Sequence, residues 1–295
     1  MSLLSAFSLK SSNPNVRTPW HIMFARLRRN RAALFGFWII VALVATAALA
    51  EVLSPYSPTA LHRDQLSQGP SRQFWLGTDY LGRDILSRVI YGSRLSLIVG
   101  IFSIIFSMAL GIPLGTLSGY YGGKIDNLIM RVMELLLAFP IFLLAVMIMV
   151  VLGPSVMNVI VALGIVRIPI FARLVRGSVL SVKEIEYVAA AKALALPDRR
   201  ILSHHILPNC LGPIIVMATL SIGHSIIIEA SLSFLGLGTQ PPTPSWGFDL
   251  KTALRFIEVD YWPVVVPGLA IMLTVLGFNL FGDGLRDALD PRMKE

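Results

Sequence analysis

The chain has 295 residues, of which 55% are hydrophobic and only 14% are charged. A composition this apolar, with a mean hydropathy of +0.72, excludes a soluble globular domain and indicates a polytopic membrane protein. The net charge of +8 is explained by the positive charge that membrane proteins carry on cytoplasmic loops, so we expect no nucleic-acid partner. Cys210 is the only cysteine, which excludes an intrachain disulfide and a cysteine-based metal cluster.

The chain begins with a basic segment and a first apolar run. Residues 1–31 are polar and basic, and we expect them in the cytoplasm. Residues 32–53 are long enough for the ~20 residues of a membrane helix. Residues 48–50 have the small-residue pattern of a signal-peptidase site, but the run is longer than a signal-peptide core. We therefore predict an uncleaved first transmembrane helix, followed by a periplasmic segment over residues 54–94.

An amphipathic helix is predicted within that segment, over residues 78–91. Leu81, Ile85 and Val89 recur four residues apart among polar neighbours, which is typical of a helix lying at the membrane interface. Asp79 and Asp84 are acceptable metal ligands by type, but no histidine or cysteine stands near them. We therefore favour pairing with arginine and predict no metal site.

Five more membrane helices are predicted, within a domain over residues 95–283 that a cytoplasmic tail (284–295) follows. A polar elbow over residues 124–134, in which Arg131 and Glu134 can pair, precedes the third helix. The predicted runs are 95–123, 135–152, 156–171, 211–228 and 261–281, with a proline-rich loop at 236–260. In this six-helix topology, with both termini inside, 18 of the lysines and arginines are cytoplasmic and 7 are periplasmic, as the positive-inside rule requires.

A polar interval over residues 184–208 interrupts the apolar runs of the second half. Its first part is rich in alanine, the strongest helix former, and its small side chains would let another protein approach closely. Pro197 interrupts the helical pattern, and Asp198 stands where a carboxylate favours the start of a second helix. The sequence predicts two short helices at an angle, presented to a partner.

This interval resembles the cytoplasmic EAA loop in the membrane subunits of bacterial ABC importers. That pattern is Glu-Ala-Ala, three residues, Gly, nine residues, Ile, one residue and Leu-Pro. It falls here on Ala189-Ala190-Ala191, Ala195, His205 and Leu207-Pro208. Ala189 replaces the Glu, Ala195 the Gly and His205 the Ile. If the turn needs a left-handed residue, alanine at 195 costs roughly 1 kcal/mol or more.

Other segments extend the resemblance to peptide-type ABC permeases and cover most of residues 72–292. The chain is similar to the "C"-type permease of dipeptide, oligopeptide or glutathione importers, a type that nickel importers share. The matching segments are LGTDYLGRD (76–84), GYYGG (119–123), AFP (138–140), EASLSFLGLG (229–238), PPTPSWG (241–247) and residues 279–291.

The resemblance implies an all-α type I ABC importer permease with six transmembrane helices in a bacterial inner membrane, both termini cytoplasmic. The implied partners are a paralogous permease, one or two cytoplasmic ATPase subunits, and a periplasmic or lipoprotein substrate-binding protein. No phosphate-binding loop pattern occurs in the chain, so ATP and Mg²⁺ would bind the partner ATPases, and this chain would be neither an enzyme nor a cofactor carrier. Within a coupling loop at 181–209, the implied ATPase-coupling residues are Glu186, Ala189, Ala190, Ala191, Ala195, Asp198, His205, Leu207 and Pro208.

Three ionisable residues in or beside the apolar runs are candidates for the pathway or its gate. Arg167, His224 and Glu229 are of the type that often marks ion paths, which leaves an ion-gradient-driven secondary transporter as an alternative. A membrane-embedded enzyme is a third possible class, but no motif in the sequence supports it. We expect Arg167 to face the permease interior or to reach the cytoplasmic side. We expect Glu229 to be a paired carboxylate that holds the outer gate or the loop at 236–260.

Overall fold

The computed structural model describes residues 26–289, so the predicted segments at 1–25 and 290–295 lie outside the described residues. The main helices are α1 (Arg31–Ala48), α2 (Ile85–Tyr121), α3 (Gly123–Leu137), α4 (Ile141–Leu152), α5 (Val156–Val182), α6 (Glu186–Ala193), α7 (Leu207–Leu235), α8 (Trp246–Ala253) and α9 (Trp262–Leu289). A single helical turn at Ala50–Leu53 continues α1, and a 3₁₀ turn at Leu254–Phe256 follows α8. A short turn at Asp198–Arg200 and a π-helical segment at Ile201–Ile206 lead into α7.

The ends of the described chain lie together, which fixes the number of membrane crossings. Five helices are long and apolar enough to cross a membrane, and α3 with α4 forms a pair bent by 87°. Ala33 near the start of α1 touches Gly284 near the end of α9, and Leu289 lies beside Gly212 at the start of α7. Both ends of the described chain and the start of α7 therefore share one end of the bundle, here called the hairpin end. An even number of crossings follows, so the bent pair counts as one and the total is six.

The third crossing differs from its prediction as one helix over residues 135–152. The chain bends between α3 and α4 at residues 138–140. Pro140 has no backbone N–H, and the residue before a proline avoids the helical region, so the helix cannot continue there. The 12 residues of α4 then rise only about 18 Å. The pairing predicted in α3 is confirmed, since Arg131 Nη1 lies 3.4 Å from Glu134 Oε2.

The amphipathic helix predicted over residues 78–91 is wrong in its bounds. α2 begins at Ile85, where the side chain of Asp84 accepts a 2.8 Å hydrogen bond from the Ser87 N–H and caps the helix. The residues before it form turns, because Gly77 and Gly82 adopt φ values of +82° and +76° that end helical geometry. Asp79 and Arg83 pair at 2.6 Å and are buried rather than displayed at an interface.

The last three membrane helices extend beyond the apolar runs that predicted them. α5 continues from the predicted end at residue 171 to Val182 and includes Arg173 and Arg176. α7 and α9 likewise exceed 211–228 and 261–281. Helical hydrogen bonding does not depend on side-chain polarity, so a helix continues past the bilayer wherever its end is packed against neighbours.

Glycines bring α2 and α5 into backbone contact at the hairpin end. Gly111, Gly115 and Gly119 recur every four residues on one face of α2, and each is packed against α5. A Cβ atom on Gly115 would clash with the carbonyl oxygen of Ala172, and one on Gly119 would lie 2.9 Å from the carbonyl oxygen of Arg176. Small residues with this spacing allow membrane helices to approach closely. α2 and α5 therefore form one tightly packed pair.

Candidate functional site

Residues 184–208, here called the hairpin, connect α5 to α7. Its first arm is α6, which begins at Glu186, an exposed acid at the positive end of the helix dipole. Val188 and Ala191 on the inner face are buried against a cluster that includes Val175 and Ile201. Ala189 and Ala190 point outward and are exposed. Ala191 therefore does not share the small-residue surface predicted for it, because the 3.6-residue helical period turns it inward.

A Schellman turn closes the first arm, and an alanine stands at its left-handed position. Ala195 has a φ of +52°, the region that favours glycine. The Ala195 N–H donates to the Lys192 carbonyl at 2.9 Å, and the Leu196 N–H donates to the Ala191 carbonyl at 3.2 Å, which is the bond pattern of this motif. The turn needs a left-handed residue, and this chain supplies it with alanine.

The second arm runs from Asp198 through the π-helical segment into α7. His205 is half-buried, and its neighbour Ile206 is fully buried in the same cluster as Val188. The His205 carbonyl accepts a 3.3 Å hydrogen bond from the Tyr187 hydroxyl, which joins the two arms. Leu207 and Pro208 open α7, and the proline, which has no N–H to donate, stands where the π-helical segment passes into the α-helix.

The hairpin and the residue before it also contact the end of α2, through the predicted Asp198 and through Tyr120, Lys192 and Lys183, which the motif comparison missed. The Tyr120 hydroxyl donates a 2.6 Å hydrogen bond to Asp198 Oδ1, and Lys192 Nζ lies 5.3 Å from the centre of the Tyr120 ring. Lys183 Nζ donates to the Gly119 carbonyl at 3.0 Å. Leu194, which is 76% exposed beside Ala190, was missed as well. The one sequence feature that could have identified it is its position as a large apolar residue in a polar interval.

The three pathway candidates are separate in the structure. Arg167 is 6% exposed, and its Nε atom lacks a hydrogen-bond partner among the described residues. Glu229 is 1% exposed, and its Oε1 accepts hydrogen bonds from Ser233 Oγ at 2.8 Å and Ser245 Oγ at 3.4 Å. His224 is exposed on α7. Within residues 26–289, no hydrogen bond or ion pair joins these three side chains.

Glu229 lies beneath α8, whose attachment closes the other end of the bundle. Arg88 donates to Asp249 Oδ1 through Nε at 3.1 Å and to the Pro58 carbonyl through Nη1 at 3.0 Å. Burial raises the pKa of the Asp249 carboxyl, and the Arg88 guanidinium opposes that rise. Trp246 Nε1 donates to the Val89 carbonyl at 3.0 Å. α8 is thus fixed to the start of α2 through two residues of its first turn.

A six-crossing helical bundle with a structured hairpin defines the class as a polytopic membrane protein. The fold is shared with the inward-facing MetNI methionine ABC transporter, at a TM-score of 0.56 and 17% identity over 70% of this chain and 98% of that one. Residues 111–295 match the family model described as binding-protein-dependent transport system inner membrane component, and residues 18–70 match that of the N-terminal TM domain of oligopeptide transport permease C. The chain belongs to this family of transport-system inner membrane components.

Two curated relatives are similar over nearly the whole chain. The dipeptide transport system permease protein DppC of Alkalihalophilus pseudofirmus is 49% identical over 277 residues, covering 94% of this chain and 91% of that protein. The glutathione transport system permease protein GsiD of Pectobacterium atrosepticum is 47% identical over 281 residues, covering 95% and 93%. The expected "C"-type ABC importer permease is confirmed by these similarities.

Proposed function

We propose that this permease carries short peptides, of the dipeptide or glutathione kind, across a bacterial inner membrane when ATPase subunits engage its hairpin. The observation that supports this most directly is the exposed Ala189–Ala190 surface, with Leu194 beside it, on a helix whose inner face is anchored in the bundle. A small-residue face with one large apolar side chain suits close docking of another protein. The names of the curated relatives supply the substrate class.

On this proposal the hairpin end faces the cytoplasm, and both chain termini lie there. The lysines and arginines counted for the predicted topology favour this orientation. A related permease would complete the pathway, one or two ATPase subunits would bind ATP and Mg²⁺, and a binding protein would deliver substrate at the opposite end. ATP binding closes the ATPases and thereby shifts the population between inward-open and outward-open permease states.

The alternatives explain less of the molecule. An ion-driven transporter would use connected ionisable groups, whereas no hydrogen bond or ion pair joins Arg167, His224 and Glu229 in the described part of the chain. Nickel is disfavoured because the similar relatives are named for dipeptide and glutathione transport. ATP-dependent uptake that survives an uncoupler of the proton gradient is the expected result, and uptake that the uncoupler abolishes would exclude the ATP-driven mechanism.

Ala190→Trp tests the docking surface. Bulk inserted into a packed contact costs about 1–3 kcal/mol, which corresponds to an affinity for the ATPase that is roughly ten- to a hundredfold weaker. The residue is exposed in the isolated chain, so the level of protein in the membrane should stay unchanged. The measurements are co-purification of the ATPase from detergent and uptake of labelled dipeptide.

A matched control separates docking from folding. Thr59→Trp adds comparable bulk at an exposed position at the opposite end of the bundle, so ATPase co-purification and the level of protein in the membrane should stay at their wild-type values. Normal ATPase co-purification together with normal uptake in Ala190→Trp would show that the hairpin surface does not dock the ATPase.

A further inference from the structure

The last turn of α2 connects several segments of the hairpin end. Three consecutive residues each bind a different part of the chain. Ser118 Oγ donates to Asp126 in α3, the Gly119 carbonyl accepts from Lys183 just after α5, and Tyr120 reaches the hairpin. Asp126 in turn forms a 2.6 Å ion pair with Arg176 of α5. α2, α3, α5 and the hairpin therefore meet at this single turn.

Tyr120 touches both arms of the hairpin at once. Its ring lies under the Lys192 ammonium of the first arm at 5.3 Å, an attractive cation–π arrangement. Its hydroxyl donates to the Asp198 carboxylate of the second arm at 2.6 Å, a charge-assisted hydrogen bond. The half-buried ring also packs against the cluster that holds Val188. A rotation of either arm relative to α2 would break one of these contacts.

Tyr120 belongs to a rigid unit, because α2 is tightly packed against α5 at this end of the bundle. The backbone contacts of Gly111, Gly115 and Gly119 with α5 leave no space in which α2 could slide alone. The Asp126–Arg176 ion pair and the Lys183 contact link α3 and α5 to the same turn. The hairpin has in addition its covalent connections to α5 and α7, but these alone would allow its turn to bend.

We infer that Tyr120 is a positioning residue that fixes the angle of the hairpin against α2, so that ATPase motion moves the α2–α5 pair. This inference rests on the proposed function and extends it to a residue outside the docking surface. If Tyr120 served only packing, removal of its hydroxyl would alter stability or assembly. If it transmits motion, the permease still assembles and the ATPases still hydrolyse ATP, but less substrate is moved for each ATP.

The experiment measures transport per ATP hydrolysed. The complete complex, with partner permease, ATPases and binding protein, is reconstituted in liposomes, and uptake of labelled alanyl-alanine and of labelled glutathione is divided by phosphate release. The variants are Tyr120→Phe, Asp198→Ala, the double substitution of these two residues, and Lys192→Met. Tyr261→Phe, an exposed tyrosine at the opposite end, is the matched control. Co-purification of the ATPase is measured on the same samples.

Tyr120→Phe should lower the ratio of substrate uptake to ATP hydrolysis about fivefold, which is the effect of losing one charge-assisted hydrogen bond at a partly exposed site. Asp198→Ala should lower it similarly, and the double variant no further, because both substitutions remove the same bond. Lys192→Met keeps that bond and should lower the ratio about twofold through loss of the cation–π contact. In Tyr120→Phe, ATPase co-purification should equal wild type, and so should the ratio of uptake to ATP hydrolysis in Tyr261→Phe.

Three results would overturn the inference. The first is an unchanged ratio of uptake to ATP hydrolysis in Tyr120→Phe, and the second is a double variant in which the effects of the two single substitutions multiply. The third is a loss of ATPase co-purification in Tyr120→Phe, which would make the residue part of the docking surface. Failure of the proposed function looks different, because the wild-type complex itself would then show no ATP-dependent uptake of either probe.

Discussion

Replacing Ala195 by glycine should strengthen the turn of the hairpin. Ala195 holds a φ of +52° in a Schellman turn, where its Cβ is strained and where glycine is the usual residue. Its side chain is exposed, so the substitution removes no packing. The effect therefore isolates the backbone conformation of one residue.

The magnitude follows from two opposing terms. An alanine in the left-handed region costs about 1–2 kcal/mol, and glycine relieves that cost. The greater freedom of glycine in the open chain offsets about 0.4–1 kcal/mol of the gain. A net stabilisation of about 0.5–1 kcal/mol remains, which corresponds to a roughly two- to fivefold smaller population of open turns.

Hydrogen exchange provides the assay, because the Ala195 and Leu196 amides are the donors that close the turn. Their exchange should slow two- to fivefold in Ala195→Gly. Ala193→Gly is the matched control, because residue 193 is also exposed but is helical. Glycine there should destabilise the helix end by about 1 kcal/mol and so speed exchange about fivefold. Faster exchange in both variants would refute the left-handed assignment and indicate a continuous helix at residue 195.

Two further predictions concern the packing of the bundle. Gly115→Ala should lower the free energy of unfolding by about 1–3 kcal/mol in denaturant titration in detergent, because the added Cβ meets the Ala172 carbonyl. Gly268→Ala is the control: open space surrounds that position, so the substitution should be neutral or stabilising. Equal effects of the two substitutions would contradict the α2–α5 contact. Arg88→Met should lower the free energy of unfolding by about 3–5 kcal/mol in the same titration, because Asp249 is left buried without its cation. Glu51→Gln, in the exposed pair with Arg94, should lower it by at most about 1 kcal/mol. A similarly small effect of both substitutions would argue against a buried pair.

The membrane helices could be predicted from the sequence because their signal is local. An uninterrupted apolar run of sufficient length can satisfy its backbone hydrogen bonds in lipid only as a helix or a barrel. The errors occurred where local signals compete. Residues 78–91 have an apolar residue every fourth position, but Gly77 and Gly82 take left-handed conformations and Asp84 caps a later start. Pro140 was a visible helix breaker inside an apolar run, and the break it causes is the bend between α3 and α4.

The candidate site was predictable only in part. The hairpin at 184–208 could be predicted from its alanine pattern and its likeness to a known loop, and the left-handed turn falls where that pattern has glycine. The contacts that hold the hairpin do not follow from sequence spacing. Tyr120 and Asp198 are separated by 78 positions, and Arg88 and Asp249 by 161 positions, so these pairs exist only once the helices are packed. Which face of α6 is buried likewise depends on the cluster around Val188.

The contact between Ala33 and Gly284 has a practical consequence for building the complex. The first and last described helices emerge side by side at the hairpin end, after an even number of crossings. On the proposed function, in which a related permease of the same topology completes the pathway, a tandem gene fusion of the two chains would need only a soluble linker. No extra membrane helix would be required to return the chain to the correct side. Such a single polypeptide would fix the stoichiometry of the two permeases at one to one and would let a substitution be placed in one half alone.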